Sequence, residues 1–280
     1  MSRPDSSPSP VTIPPVLLLG GGRMGSAMMH GWQQQGLSPS LVIDPAPIEV
    51  PAPHRRLPSA DLIPAGFQPA VIVLAVKPQL CEAAIPPLAH LAGPGTVVLS
   101  IMAGRTTDGL RRLLPPRTPI VRAMPNTPAA IGRGVTVAYR RAGPDAVVNP
   151  EQEALCDRLL RAIGAVAWVE DEALLDAVTA ISGSGPAYVF LLAELLEEIG
   201  REHGLPADLA RLLARGTVSG SGALLDSEAA VSAAELRRAV TSPGGTTEQA
   251  LAVLMAQEAW PSSLRQAVRA AAERSRALAR

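Results

Sequence analysis

Val16-Leu-Leu-Leu-Gly20-Gly-Gly-Arg-Met-Gly25 joins an apolar run to a turn of the form G-x-G-x-x-G. A run without polar alternation reads as a strand covered on both faces. The turn that follows opens a helix expected over Met24–Gln35. In this setting the first glycine, Gly20, permits the tight turn, Gly22 lets a pyrophosphate approach the backbone, and Gly25 allows close helix–strand contact. The helix N-terminus then directs its unpaired N–H groups and positive dipole end at the phosphates. A dinucleotide-binding α/β unit is the expectation.

Further strands are expected at Leu41–Ile43, Val71–Val76, Thr96–Ser100, Ile120–Ala123, Val135–Tyr139 and Ala165–Val169. Helices are expected between them near Leu80–Leu91, Thr107–Leu114 and Pro150–Ile163, with Asn149 as N-cap and Pro150 at the first helical position. Alternating β and α units imply a doubly wound, mostly parallel sheet of the Rossmann type. Prolines 45, 47, 51, 53, 58, 64 and 69 make a helix over 44–70 improbable, so a loop is expected there. Beyond residue 170 the texture turns helical, with helices near 172–180, 186–203, 206–225, 232–240, 246–256 and 260–279. The organisation read from this is a Ser/Pro-rich disordered tail over 1–14, a dinucleotide-binding domain over 15–170 and an all-α domain over 171–280.

Composition narrows the function. The chain has 280 residues, with 25 basic and 25 acidic side chains, which argues against nucleic-acid binding driven by counterion release. Three Trp, two Tyr and two Phe offer little for stacking bases. The two cysteines, Cys81 and Cys156, lie far apart, and the four histidines are scattered, so neither a disulfide framework nor a metal site is expected. No apolar run approaches the ~18 residues of a membrane span, and the first 15 residues lack an apolar signal core. A cytoplasmic protein follows. Its high apolar content, 47%, needs a sink such as a subunit interface. Ala187–Leu196, apolar nearly all round, is where that interface is expected.

Several side chains are candidates for chemistry. Asp44 stands where an acid would accept a hydrogen bond from a free ribose 2′-hydroxyl, as in NADH. Arg55 and Arg56 could instead answer the 2′-phosphate of NADPH, and the sequence leaves both cofactors open. Lys77 is the only lysine in the chain. It follows the strand Val71–Val76 and precedes Pro78, at the ligand-binding end of a parallel sheet. Ser100–Gly104 ends the next strand with small residues, and Asn126 presents an amide between Pro125 and Pro128. In Thr241-Ser-Pro-Gly-Gly-Thr-Thr247, glycines ahead of a helix can form a nest of N–H groups suited to a carboxylate, with Ser242, Thr246 and Thr247 adding hydroxyls. Thr246 with Gln249 fits a capping box.

Taken together with Ala75-Val-Lys-Pro78, Arg122-Ala-Met-Pro-Asn-Thr-Pro128, Leu175-Asp-Ala-Val178, Ser182-Gly-Ser-Gly-Pro-Ala-Tyr188 and Leu236–Thr247, these stretches resemble the pyrroline-5-carboxylate reductase family. The resemblance implies reduction of Δ1-pyrroline-5-carboxylate to L-proline by NADPH or NADH. It places cofactor contacts on Gly20, Gly22, Arg23, Met24 and Gly25, on Ala75, Val76, Lys77 and Pro78, and on Ile101, Met102 and Ala103. It places the substrate loop on Ser242, Gly244, Gly245, Thr246 and Thr247, and matches Glu170 to an acid near the site. For the hydride transfer itself, the expectation is that the Thr247 hydroxyl bonds the imine nitrogen, where charge changes. The resemblance further implies a homodimer through the helical domain, larger rings in many members, and a substrate loop that completes the neighbour's site. Arg23 stands where the family usually has Asn, Met102 where a small residue flanks the nicotinamide, and Leu62 where an Asn would touch the cofactor. The alternatives are another imine reductase or a 3-hydroxyacid dehydrogenase, which would want a lysine that the helical half lacks, and a non-catalytic dinucleotide sensor.

Overall fold

The computed structural model describes residues 12–141 and 147–278. It divides into two compact units. The first comprises the described residues up to Gly183 and those from Ala272 onward, and the second is Ser184–Ala271. The helical domain expected from residue 171 thus begins, by packing, at Ser184.

The first unit is built on one sheet. In chain order its elements are β1 (Val16–Leu19), α1 (Arg23–Gln34), β2 (Leu41–Ile43), β3 (Arg55–Leu57), β4 (Val71–Leu74), α2 (Cys81–Ala84), β5 (Val97–Ser100), α3 (Thr107–Arg111), β6 (Ile120–Met124), β7 (Gly134–Arg140), α4 (Pro150–Arg161), β8 (Gly164–Val169) and α5 (Leu174–Val178). The strand order is β3-β2-β1-β4-β5-β6-β7-β8. All neighbours are parallel except β6 and β7.

The central strands are apolar without alternation because both faces are covered. Val16 and Leu18 point to one core with Met28, Trp32 and Leu159. Leu17 and Leu19 point to the other with Ile85, Leu88 and Leu110. Trp32 Nε1 donates to the Leu159 carbonyl at 2.8 Å and ties α1 to α4. The α4 cap is as expected: Asn149 Oδ1 accepts from Gln152 N, and Gln152 Oε1 accepts from Asn149 N.

Three local expectations are corrected. The loop over 44–70 contains β3, which extends the sheet beyond β2. The helix expected at Leu80–Leu91 is only α2 flanked by 3₁₀ turns at Pro78–Leu80 and Pro86–Leu91, since Pro86 and Pro87 lack the amides that would continue it. Ile13, placed in the tail, is fully buried and bridges Leu37. Residues 1–11 of that tail lie outside the described residues.

The second unit is helical: α6 (Gly185–Glu202), α7 (Ala207–Ser227), α8 (Ala233–Ala239), α9 (Thr246–Leu254) and most of α10 (Trp260–Leu278). Its surface is unusually apolar. No residue of α6 is buried, and Phe190 is 66% exposed. The helical run Leu174–Glu202 is long and apolar enough, by length and composition, to cross a membrane. Counting only uninterrupted apolar residues hid this, because Asp176 and the four glutamates break the run.

Candidate active site

The carboxyl ends of β1, β2 and β4 open onto a cleft of about 520 Å³ lined by Gly20, Gly22, Asp44, Pro45, Ala75, Val76 and Lys77. The glycine turn forms its floor. Gly20 has φ +99°, and a Cβ there would meet the Ala75 carbonyl oxygen at 2.7 Å, so glycine is required twice over. A Cβ on Gly25 would strike the Gly20 carbonyl, whereas one on Gly22 would meet nothing within 4 Å. The turn is therefore tight against the sheet and open toward the cleft. Gly22 is the N-cap of α1 and supplies no side-chain cap, which leaves the helix amides for an anion. Arg23 is exposed at the first turn, and Met24 is half-buried. These residues fit a dinucleotide pyrophosphate.

Asp44 follows β2. Its Oδ2 accepts from Gly21 N at 2.7 Å and its Oδ1 from Ala46 N at 2.8 Å. Arg56, on β3, donates from Nε to the Asp44 carbonyl and from Nη2 to the Pro45 carbonyl. Lys77 is exposed at the cleft wall. Beyond β5, Ile101 is half-buried and Ala103 exposed. Met102 is 2% exposed and packs into the core with Ile72 and Leu110.

Two assignments change. Asn126 does not present its amide: Oδ1 accepts from Val135 N and Nδ2 donates to Ser182 Oγ. It holds loops together. Glu170 is 83% exposed at its side chain and reaches Arg140 at 3.3 Å. The acid drawn inward is Glu172. Its Oε1 accepts from Thr107 N and Arg122 Nη1, and its Oε2 from Thr107 Oγ1. The available signal was Arg122 itself, since a cation inside an apolar strand requires a carboxylate.

In the second unit, Gly244 has φ +71° and Gly245 is the N-cap of α9. The Thr246–Gln249 capping box is not formed. Instead Glu248 Oε2 accepts from Gly244 N at 2.8 Å, and Gly245 N donates to the Ser242 carbonyl. Gly245 has no side chain to cap the helix. The amides of Thr246 and Thr247 therefore head α9 beside the hydroxyls of Ser242, Thr246 and Thr247.

Residues 172–278 match the family model for pyrroline-5-carboxylate reductase dimerisation, and residues 15–104 match that for NADP oxidoreductase, coenzyme F420-dependent. Pyrroline-5-carboxylate reductase of Pseudomonas aeruginosa is 36% identical over 276 residues, covering 96% of this chain and 98% of that protein. The chain belongs to the pyrroline-5-carboxylate reductase family. The solved structure of the Coxiella burnetii reductase superposes with a TM-score of 0.84 at 31% identity, over 95% of this chain and 98% of that one. The Plasmodium falciparum reductase, solved with NADP bound, gives 0.79 at 26%, over 95% and 98%. The dimerisation segment of this reductase holds the bare apolar helices described above.

Proposed function

We propose that this reductase converts Δ1-pyrroline-5-carboxylate to L-proline in the cytoplasm, as a homodimer formed through α6–α10. The observation that carries the reading is the near full-length match to reductases of this name. The two halves of the required machinery support it: the dinucleotide cleft in the first unit and the loop at the head of α9 in the second.

When bound, the reduced nicotinamide supplies the hydride that reaches C5 of the ring imine. The glycine turn and α1 hold the pyrophosphate, and Ala75–Pro78 with Ile101–Ala103 line its course. Lys77 adds an exposed cation to the cleft, placed to meet a cofactor hydroxyl or the substrate carboxylate. The Ser242 hydroxyl and the Thr246 and Thr247 amides grip the substrate carboxylate at the positive end of α9, while Gly245 keeps its amide on the Ser242 carbonyl and shapes the turn. Gly244 joins them only when Glu248 releases its amide. The Thr247 hydroxyl bonds the imine nitrogen, where charge changes as the new C–H bond forms. Orientation is the main contribution, because the two carbons must lie within about 3–3.5 Å.

The test is loss of absorbance at 340 nm when the imine is supplied with NADH or NADPH. Turnover with either is the expected result. A folded protein that binds dinucleotide yet turns over neither mixture would return the choice to a different imine or to a sensor. An apolar helix such as α6 is equally accounted for by burial against a second subunit as by lipid, and the dimerisation model over the same residues favours the subunit.

A further inference from the structure

We propose that Asp44 makes this reductase select the dinucleotide with a free ribose 2′-hydroxyl, NAD(H), over the 2′-phosphorylated form. The inference rests on the reductase reading only in taking the cleft as the dinucleotide's.

The Asp44 carboxylate lines the cleft and is fixed by two amide donors, Gly21 N on one oxygen and Ala46 N on the other. Each carboxylate oxygen retains a second acceptor site. The group is thus an oriented acceptor pair beside the turn that carries the pyrophosphate, and a vicinal diol with two O–H donors complements it. A phosphate does not, since it offers acceptors and negative charge to acceptors and negative charge.

Apart from Arg23, exposed at the first turn of α1, the cations that could reverse this are engaged or elsewhere. Arg56 spends Nε and Nη2 on the carbonyls of Asp44 and Pro45, which positions Asp44 and holds the guanidinium against the backbone. Arg55 is exposed on the edge strand. Lys77 follows β4, which is separated from β2 by β1, so two strand spacings, about 10 Å, lie between it and Asp44. The chain therefore departs from the Plasmodium falciparum relative, whose structure holds NADP.

The experiment is calorimetric titration of the full chain with ADP-ribose and with 2′-phospho-ADP-ribose, neither of which needs the imine. The unphosphorylated probe is expected to bind at least roughly tenfold more tightly, the scale of a like-charge juxtaposition. Asp44→Ser is expected to shift the ratio at least roughly tenfold toward the phosphate. Asp44→Asn, which keeps an acceptor for Gly21 N, is expected to fall between. Equal or tighter binding of the phosphorylated probe by the wild type overturns the proposal, as does a ratio unmoved in both variants or no binding of either probe. The binding ratio stands apart from turnover. Loss of imine reduction with the ratio intact would sink the substrate assignment and leave this inference in place.

Discussion

Replacing Glu172 with Gln isolates the charge that keeps a guanidinium inside the first unit. Arg122 sits in the middle of β6, its side chain is 4% exposed, and Glu172 is 21% exposed. Arg122 Nη1 donates to Glu172 Oε1 at 3.0 Å, while Nη2 is buried without a hydrogen-bond partner. Glutamine keeps the shape but removes the opposing charge. Its Oε1 can still accept from Thr107 N and Arg122 Nη1, and its N–H₂ can face Thr107 Oγ1, a hydroxyl that accepts, so the charge is what is lost. Breaking a buried pair costs about 3–5 kcal/mol, and the partial exposure of Glu172 sets the low end, about 3 kcal/mol. For a chain of this size that lowers the apparent Tm by roughly 6–10 °C. Thermal unfolding followed by circular dichroism reads it. Glu170→Gln is the control, an exposed pair worth less than about 1 kcal/mol. The double variant Arg122→Met/Glu172→Met should recover part of the loss, because apolar groups replace both charges at once while the buried Thr107 amide loses its acceptor. A Glu172→Gln protein melting with the wild type, or a double variant no better than the single one, would refute the reasoning.

Other outcomes follow from the same geometry. Thr247→Ala should lower kcat roughly tenfold and change KM less, since the lost bond strengthens in the transition state; an unchanged kcat would remove Thr247 from the reaction. His54 is buried, accepts the Ser40 amide at Nδ1, and has its pKa lowered by burial. The neutral form is therefore the stabilising one. Its contribution is complete above the ordinary value of 6.5 and is lost as the pH falls through the depressed folded value. Melting curves from about pH 7.5 to 5 should fall more steeply for the wild type than for His54→Gln, and parallel slopes would contradict this. Phe190→Glu should yield monomers by sedimentation, and a variant that sediments with the wild type would exclude α6 from the interface.

What could be read from the chain was what its own local chemistry determines. Val16–Leu19 followed by Gly20–Gly25 needs no tertiary information, because continuous apolar residues, a left-handed glycine and a helix start agree with one another. β3 was illegible for the opposite reason. Arg55-Arg-Leu57 has no strand pattern, and only the backbone pairing with β2 makes it one. Glu170 and Glu172 look alike as acids ahead of a helix, and Arg122, fifty residues away in sequence, decides between them. Asn126 advertises an amide between prolines, but its partners Val135 and Ser182 come from other turns. At the head of α9, Thr246 and Gln249 fit the capping formula, yet Gly245 takes the cap position and Glu248 takes the available amide.

The uncovered apolar face of α6 and its neighbours would, in the homodimer proposed above, tie the working enzyme to its own abundance. The population of folded, paired chains would follow mass action. Dilution would then act as an inhibitor: specific activity would fall as the enzyme concentration dropped below the dimer constant, with no change in any residue of the cleft. The expression level of the chain would thereby set the activity of each molecule as well as the number of molecules.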